Sequence, residues 1–410
     1  MKFQILDIVP YIRNPITGRL VSPSDRFSQT IQVARRAEEL GFDAYAVGER
    51  HVGEFLSTAP TVLLGAIAAT TSRIRLQTGV TVLSLLDAVR VAEDYATIDQ
   101  ISRGRLELVI GKGNEVKHFP LFGLNVDDQW NLLAEKYELL RRLWREENVT
   151  WQGEYRAPLK DTTTLPRPFA GAPRVWHGSA TTRASAALAA KWGDPLFSAN
   201  AIQPRWNYAV LIEHYRDEYA RHGHDPRYAY VGSGSGFTFI ADTTQEAKEQ
   251  YGPVYESIVA SRDVPGNNTP FRDIDHAVAE GPALVGSPQQ VIDKILSYHH
   301  LFRHDLQSLS LPTTVPFEQQ LDMVERFATE IIPVVRREAP TTLWGTDDPY
   351  GRRPAFEGAQ VADAAFEVSH GSPAHGADSK HAGQDPATPH HTAQHHTAQH
   401  HTEENHEYQF

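Results

Sequence analysis

The sequence predicts an α/β protein with the strand count of a (β/α)8 barrel. Short apolar segments rich in β-branched residues recur along residues 1–340, and stretches with apolar residues at helical spacing separate them. Gly, Pro and Ser mark most of the segment ends. Eight strands that alternate with helices would close a TIM barrel. A doubly wound parallel sheet would alternate in the same way, so the pattern alone leaves both architectures open.

In the N-terminal half, short apolar strands alternate with helices that carry an apolar stripe. The first helix is predicted to begin at Ser24-Asp25, which offers an N-cap, and to end at Gly41. A central unit from Thr71 to Gly123 carries the third and fourth strands. The predicted strands are 3–9, 42–47, 74–83 and 105–110, and the predicted helices are 27–40, 60–71, 89–101 and 127–146.

The C-terminal half continues the alternation and contains two predicted insertions. Residues 148–173 are punctuated by four prolines and predict a loop, and residues 252–282 lack a clear period and predict an excursion or a lid. Ser287-Pro288 is predicted to start a helix, because Pro favours the first helical position. The predicted strands are 175–177, 195–198, one within 228–240, and 306–311, and the predicted helices are 183–191, 205–222, one from 245 onward, 288–301 and 316–337.

The composition changes near the C-terminus. From Leu343 onward the apolar periodicity fades, and residues 361–410 are rich in Ala, His, Gly, Ser, Pro and Thr and repeat the sequence HHTAQ. Such a composition cannot build a packed core. We therefore predict two parts, a barrel domain at 1–340 and a disordered, low-complexity tail at 341–410. Clustered histidines can bind Zn or Ni adventitiously, but we expect no catalytic role for the tail and no resident metal.

Charge and composition exclude several classes of function. The chain has 51 acidic and 39 basic side chains, a net charge of −12, and no basic cluster, so nucleic acid is not an expected partner. It has no cysteine, which excludes disulfide and thiol chemistry. An acidic residue, Asp7, comes too early for a signal peptide, and no apolar run has the length of a membrane span. We expect a cytoplasmic protein without membrane contact.

Three motifs at predicted strand ends could carry chemistry. Gly111-Lys112-Gly113-Asn114 presents bare backbone and one cation after the fourth strand, although an ordinary turn would look the same. Glu49-Arg50-His51 follows the second strand and offers an imidazole that titrates near neutral pH, or a salt-bridged rim. Gly178-Ser179-Ala180-Thr181-Thr182-Arg183 leads into a helix N-terminus and could bind an anion, or could simply cap that helix.

Other motifs argue against a nicotinamide enzyme. No GxGxxG follows the first strand, so a dinucleotide-binding site of the Rossmann type has no support. Gly232-Ser233-Gly234-Ser235-Gly236 precedes an extended segment, which favours strand glycines or a bulge over a phosphate loop.

The ordered set of motifs in the central unit resembles the luciferase-like flavin monooxygenases, relatives of bacterial luciferase and of the alkanesulfonate monooxygenases. The set is Thr-Ser-Arg-Ile-Arg-Leu, Thr-Gly-Val, Ala-Glu-Asp, Ile-Asp-Gln-Ile-Ser-Arg-Gly-Arg, Gly-Lys-Gly and Leu-Phe-Gly, all within 71–123. The resemblance covers roughly 1–340 and includes Gly286-Ser287-Pro288-Gln289-Gln290-Val291. It favours the barrel over the doubly wound sheet.

The resemblance implies a monooxygenase that uses reduced FMN and O2, through a C4a-peroxyflavin, to oxidise a small organic substrate. Because no nicotinamide motif is present, reduced FMN would come from a separate flavin reductase, and we expect a homo-oligomer. Two alternatives remain open. The same barrel could use the deazaflavin F420 for hydride transfer without O2, or the chain could be a catalytically silent flavin-binding protein.

The resemblance also implies cofactor-binding residues. Ser179 and Thr182 match the side chains that bind the flavin phosphate, and Gly178 stands in place of a glutamate. Lys112 stands in place of an arginine near the flavin. The remaining cofactor-binding positions are Gly79 and Val80, where the family often has a non-prolyl cis peptide under the flavin ring, Gly111 in place of a cysteine, Asn114, and Asn200, which matches a tryptophan weakly.

The implied catalytic residues are His51 and Arg50. His51 matches the second histidine of the Glu-His-His motif of bacterial luciferase, whereas Arg50 replaces the first. An arginine stays protonated and cannot act as a base, but it could stabilise an anion or bind an acidic substrate. We therefore expect His51 to exchange protons at the reacting face.

Overall fold

Parallel strands form a ring at the centre of the molecule, and helices cover its outside. The structure is a computed structural model, and it describes residues 1–180, 182–200, 203–234, 236–261 and 269–348. The strands are β1 (Lys2–Asp7), β2 (Ala44–Val47), β3 (Arg75–Thr78), β4 (Thr81–Val82), β5 (Leu106–Gly111), β6 (Val149–Trp151), β7 (Leu159–Thr162), β8 (Val175–Ser179), β9 (Leu196–Ser198), β10 (Val231–Ser233), β11 (Thr238–Ile240), β12 (Leu284–Gly286) and β13 (Leu306–Leu309).

Helices alternate with these strands along the chain. The α-helices are α1 (Pro23–Glu39), α2 (Pro60–Thr70), α3 (Ala88–Ser102), α4 (His118–Leu121), α5 (Gln129–Arg145), α6 (Arg183–Trp192), α7 (Arg205–Arg221), α8 (Thr244–Ser261), α9 (Ile274–Ala279), α10 (Pro288–Phe302), α11 (Phe317–Arg326) and α12 (Ile332–Glu338), with a π-helical segment at Phe327–Ile331. In the described part of the chain, no helix is both long enough and apolar enough to cross a lipid bilayer.

The strand pairing closes a barrel of eight strands. The order around the ring is β1, β2, β3, β5, β8, β9, β10 and β13, and β13 pairs with β1. All of these pairings are parallel. The pairing of β3 with β5, for example Leu76 with Leu106, completes the ring where a doubly wound sheet would have two free edges. The predicted TIM barrel is therefore confirmed.

Local sequence signals account for where the helices start and which face they bury. The hydroxyl of Ser287 accepts a hydrogen bond from Gln290 N at the start of α10, as predicted. The cap of α1 is Ser22, two residues before the predicted Ser24-Asp25, because Pro23 takes the first helical position. In α5, leucines that recur at helical spacing form one buried stripe: Leu132, Leu133, Leu139, Leu140 and Leu143.

Three sequence predictions about the irregular regions were incomplete. The loop predicted at 148–173 contains an antiparallel hairpin of β6 and β7. The segment 228–240 contains two strands, of which β10 belongs to the barrel and β11 pairs with β12 in a separate sheet. The excursion predicted at 252–282 begins as the second half of α8, which continues past Pro253 to Ser261, and it includes α9.

Residues after α12 pack against the end of the barrel where the strands begin. Leu343 and Trp344 are buried, and the Trp344 indole N–H donates to Glu107 Oε1 at 2.8 Å. The Arg174 guanidinium pairs with the buried carboxylate of Asp348. The packed structure therefore continues past residue 340, where we predicted the domain boundary. The histidine-rich repeats lie outside the described residues.

Candidate functional site

A cavity of about 1080 Å³ opens at the carboxyl ends of the barrel strands. This is where TIM barrels place their active sites. Nine of the eleven predicted site residues line the cavity: Arg50, Gly79, Val80, Gly111, Lys112, Asn114, Gly178, Ser179 and Thr182. The two other predicted residues, His51 and Asn200, are not among the lining residues. The barrel thus brings together segments that are up to 132 residues apart, from Arg50 to Thr182.

Glycines and one valine form one part of the wall of this cavity. The peptide bond between Gly79 and Val80 is cis, as predicted, and it separates β3 from β4. The Val80 side chain occupies the space that two glycines leave on the neighbouring strands. A Cβ added to Gly111 would lie 3.1 Å from Val80 Cγ2, and one added to Gly178 would lie 2.7 Å from Val80 Cγ1. Val80 therefore fills the space beside Gly111 and Gly178.

The turn from β8 into α6 presents hydroxyls and a helix N-terminus to the cavity. Ser179 is buried, and its Oγ donates to the backbone oxygen of Thr182 at 3.1 Å. Thr182 is the N-cap residue of α6, yet its side chain makes no capping hydrogen bond. The alternative that the Thr182 side chain simply caps the helix is therefore not what the structure shows. The positive end of α6 can receive an anion. Thr181 lies outside the described residues.

Lys112 supplies a cation to the same wall. Its Nζ donates to the backbone oxygen of Gly113 at 3.0 Å and lies 5.5 Å from the ring centre of Trp130. Burial lowers the pKa of the Lys112 amine from its ordinary value. Next to it, Asn114 Oδ1 accepts a hydrogen bond from Arg50 Nη1 at 2.7 Å. Asn114 therefore holds the Arg50 guanidinium, and a direct contact of Asn114 with a cofactor stays a prediction.

His51 forms a hydrogen-bonded pair with Glu49 next to the cavity. The two atoms His51 Nε2 and Glu49 Oε1 are 2.7 Å apart, and Glu49 lines the cavity. Arg50 lies between them in sequence, and its guanidinium carbon is 5.1 Å from the centre of the Phe55 ring. The motif Glu49-Arg50-His51 thus contains a His–Glu pair beside an arginine. It combines the imidazole of the first sequence interpretation with the paired side chains of the second.

His118 is a site residue that the sequence analysis missed. It lines the cavity at the start of α4, and its ring is 5.6 Å from the His51 ring, edge to face. It is 1% exposed, and neither ring nitrogen has a hydrogen-bond partner among the described residues. Burial, with His51 and Arg50 nearby, lowers the pKa of His118 to about 4. It follows a glycine-rich loop and belongs to no recognisable motif, so no sequence signal could have identified it.

A buried ion pair on the first strand was also missed. Asp7 ends β1, and its carboxylate accepts from Arg26 Nη2 at 3.2 Å and from Thr30 Oγ1 at 2.8 Å. Asp7 and Arg26 both line the cavity. Asn200, the weakest of the predicted matches, is buried near β10, where its backbone N lies 3.5 Å from a Cβ added to Gly234. Its contact with a cofactor stays a prediction.

Comparison with known proteins identifies the family. The model of the luciferase-like monooxygenases matches residues 8–305. The chain therefore belongs to the luciferase-like monooxygenase family. Limonene 1,2-monooxygenase of Rhodococcus erythropolis is 25% identical over 276 residues, which cover 65% of this chain and 70% of that protein. An uncharacterised protein, y4vJ of Sinorhizobium fredii, is 29% identical over 185 residues, which are 44% of this chain and only 52% of the relative.

Solved structures share the fold over most of the chain. The monooxygenase RslO1 of Streptomyces bottropensis is 30% identical, with a TM-score of 0.73 over 82% of this chain and 99% of that one. The oxygenating constituent of 3,6-diketocamphane monooxygenase from Pseudomonas putida, solved with FMN, is 19% identical with a TM-score of 0.67 over 81% and 98%. An F420-dependent secondary alcohol dehydrogenase is 18% identical with a TM-score of 0.63 over 82% and 99%. At such identities the last two show the fold alone.

Proposed function

We propose that this protein is an FMN-dependent monooxygenase that oxidises a small organic substrate. Reduced FMN supplies two electrons to O2, so that one oxygen atom enters the substrate and the other leaves as water. The observation that carries the proposal is one cavity that joins the N-terminus of α6, which has no side-chain cap, to small residues and to the cations of Arg50 and Lys112. The proposal also includes a separate flavin reductase, because the chain shows no nicotinamide-binding motif.

The residues present fit a flavin mononucleotide. Ser179, Thr182 and the N-terminus of α6 would hold the phosphate, since hydroxyls and free backbone N–H groups are good phosphate donors. Lys112 would add a positive charge beside it. Gly79 and Val80 would lie beneath the ring system. Gly111 and Gly178, which also line the cavity, have no side chain to project toward it, and Val80 packs against both of them.

His51 and Arg50 are proposed to act at the reacting face. Histidine is the side chain type best suited to proton transfer in proteins, and His51 is paired with Glu49, which lines the cavity. The low pKa of His118, about 4, keeps that second ring uncharged. Arg50 would stabilise negative charge or bind an acidic substrate, because its guanidinium lines the cavity and is held by Asn114. The largely apolar lining of the cavity would limit the access of water to the reacting atoms.

The first experiment identifies the cofactor and the reaction. The full chain would be purified, its cofactor extracted and its absorption spectrum recorded. O2 uptake would then be measured with reduced FMN and aldehyde, sulfonate and amine panels. FMN with substrate-dependent O2 uptake supports the proposal. Bound F420, with hydride transfer and no O2 uptake, would replace it by the second candidate, which the F420-dependent neighbour favours. Bound FMN without turnover on any substrate would indicate a silent flavin-binding protein.

A variant of His51 tests the assigned role. His51→Ala should lower turnover by about 100-fold, which is within the range of general acid–base catalysis, and should leave FMN affinity within a few-fold of wild type. Arg50→Ala should mainly raise KM if the substrate is anionic. Full turnover in His51→Ala would leave His51 as a rim residue. A cytoplasmic location and a homo-oligomeric state remain part of the proposal, and light scattering of the purified protein would measure the latter.

A further inference from the structure

The pair of Glu49 and His51 suggests how the proton-exchanging imidazole is held. We propose that Glu49 is a positioning residue that keeps Nε2 of His51 protonated and so leaves Nδ1 as the nitrogen that exchanges protons. This inference rests on the proposed function and adds a residue to it. A carboxylate that accepts from one ring nitrogen fixes both the tautomer and the orientation of an imidazole.

Both oxygens of Glu49 are engaged, which fixes the carboxylate itself. Oε1 lies 2.7 Å from His51 Nε2, and Oε2 accepts from the backbone N–H of Val82 at 2.8 Å. The side chains of Glu49 and His51 are only 1% and 10% exposed. Val82 lies two residues after the cis peptide bond between Gly79 and Val80. The Glu49 carboxylate therefore connects the backbone next to the proposed flavin site with the His51 imidazole.

The ring of His51 is also confined by its neighbours. His118 packs against it edge to face at 5.6 Å, and Phe122 does so at 4.7 Å. Arg50 is a charged group near His118, and its Nη1 donates to Asn114 Oδ1 at 2.7 Å. Since the pKa of His118 is about 4, this second imidazole carries no charge at neutral pH and does not compete for the proton. The geometry leaves Glu49 as the acceptor for His51 Nε2–H.

Glu49→Gln gives a sharp test because the backbone donor at Val82 is fixed. The amide has one oxygen, and that oxygen is expected to accept from Val82 N–H. The amide NH2 then faces His51 Nε2, which must become an acceptor, so the ring is expected to switch to the Nδ1–H tautomer. The opposite orientation of the amide would place two donors against each other at Val82, which is unfavourable.

The tautomer can be measured by NMR in the full chain without flavin or substrate. The protein would be labelled with 13C at histidine Cδ2, whose chemical shift separates the two neutral tautomers, and the His51 signal would be assigned from His51→Asn. At pH 8 we expect the Nε2–H tautomer in wild type and the Nδ1–H tautomer in Glu49→Gln. Glu54→Gln, which changes an exposed carboxylate on the same loop, is the matched control and should leave the signal unchanged. The same tautomer in wild type and Glu49→Gln would overturn the proposal.

Turnover and FMN affinity complete the experiment. Glu49→Gln should lower kcat at least tenfold with FMN affinity and KM within threefold of wild type, and Glu49→Asp should retain more activity because it keeps the carboxylate. A parallel loss of FMN affinity in Glu49→Gln would show that Glu49 acts through Val82 and the wall, and would overturn its role toward His51. If wild type shows no O2 uptake, the proposed function fails, whereas the NMR measurement still decides the tautomer.

Discussion

The hydroxyl groups at the start of α6 are the part of the site with the most specific ligand chemistry. Ser179 is buried and lines the cavity, and Thr182 occupies the N-cap position without capping the helix. A helix N-terminus attracts negative charge, and a hydroxyl adds a directed donor. These two side chains should therefore distinguish a phosphate-bearing flavin from one without phosphate.

Replacing Ser179 and Thr182 together by Ala tests this assignment. We expect the double variant to bind FMN at least tenfold more weakly and riboflavin within about twofold of wild type, because only FMN carries the phosphate. Fluorescence quenching of each flavin on titration with protein measures both affinities. Equal weakening of FMN and riboflavin would place the phosphate elsewhere.

The buried histidines tie the stability of the protein to pH. The pKa of His118 is about 4 and that of His304, at the other end of β13 from the cavity, is about 3, in both cases mainly because of burial. The unfolded chain takes up these protons near pH 6.5, whereas the folded chain does not until much lower pH. Both groups therefore contribute stability above pH 6.5 that is lost as the pH falls, toward 4 for His118 and toward 3 for His304.

His118→Leu should flatten this dependence. Removing one such group reduces the slope of the free energy of unfolding by up to about 1.4 kcal/mol per pH unit between pH 6.5 and 4. Urea unfolding at half-unit pH steps measures the slope in wild type and variant. His304 keeps part of the dependence in the variant. An unchanged slope would show that His118 takes up its proton equally in the folded and unfolded states.

At the scale of the elements, the sequence predicted what depends on local periodicity. The ends of helices such as α5 and α10 were predicted within about two residues, because their apolar stripes and caps depend only on residues close together in sequence. The hairpin of β6 and β7 was missed because its strands are three and four residues long and lie among prolines. The second half of α8 was missed because Gly252 and Pro253 disfavour a helix, and packing of Tyr255 and Ile258 in the core overrides that preference.

For the site too, the sequence predicted what depends on local signals and missed what depends on tertiary contacts. Glycines and hydroxyls at strand ends could be predicted, because the carboxyl ends of parallel strands meet at one rim. The partners of these residues could not. The register between strands determines the contact of Val80 with Gly111 and Gly178. A loop conformation determines the contact of His118 with His51.

The close contact of Val80 with β5 and β8 predicts different outcomes for two glycine substitutions. Gly178→Ala would place a Cβ 2.7 Å from Val80 Cγ1 and 3.3 Å from the backbone oxygen of Ile110. We expect a loss of about 1–3 kcal/mol and weaker FMN binding, because Val80 must move. Gly65→Ala, in α2, meets no atom within 4 Å and should stabilise the protein by roughly 0.5–1 kcal/mol. Thermal unfolding with FMN titration measures both, and an unaffected Gly178→Ala would contradict the packed wall.

At the scale of the whole molecule, the two ends of the barrel have different roles. The carboxyl end of the strands opens into the cavity, whereas the other end is sealed by a buried polar cluster. Glu107 accepts from Arg75 and Trp344 through Oε1 and from Trp176 through Oε2, each at 2.8 Å. The Arg75 guanidinium also lies 4.9 Å from the Trp344 ring centre. Trp344, which lies outside residues 1–340, thus supplies one of the hydrogen-bond donors to Glu107.

Two truncations separate this seal from the histidine-rich repeats. Truncation after residue 350 should leave the melting temperature and FMN binding nearly unchanged, because Trp344 and Asp348 are retained and 361–410 cannot build a core. Truncation after residue 340 should lower the melting temperature by several degrees, because it exposes apolar surface and leaves Glu107 and Arg174 each without one buried partner. Trp344→Ala in the full chain should cost about 3–5 kcal/mol for the same reason. Differential scanning calorimetry of the three proteins measures these effects. A melting temperature that falls as much at 350 as at 340 would show that the tail itself packs on the barrel.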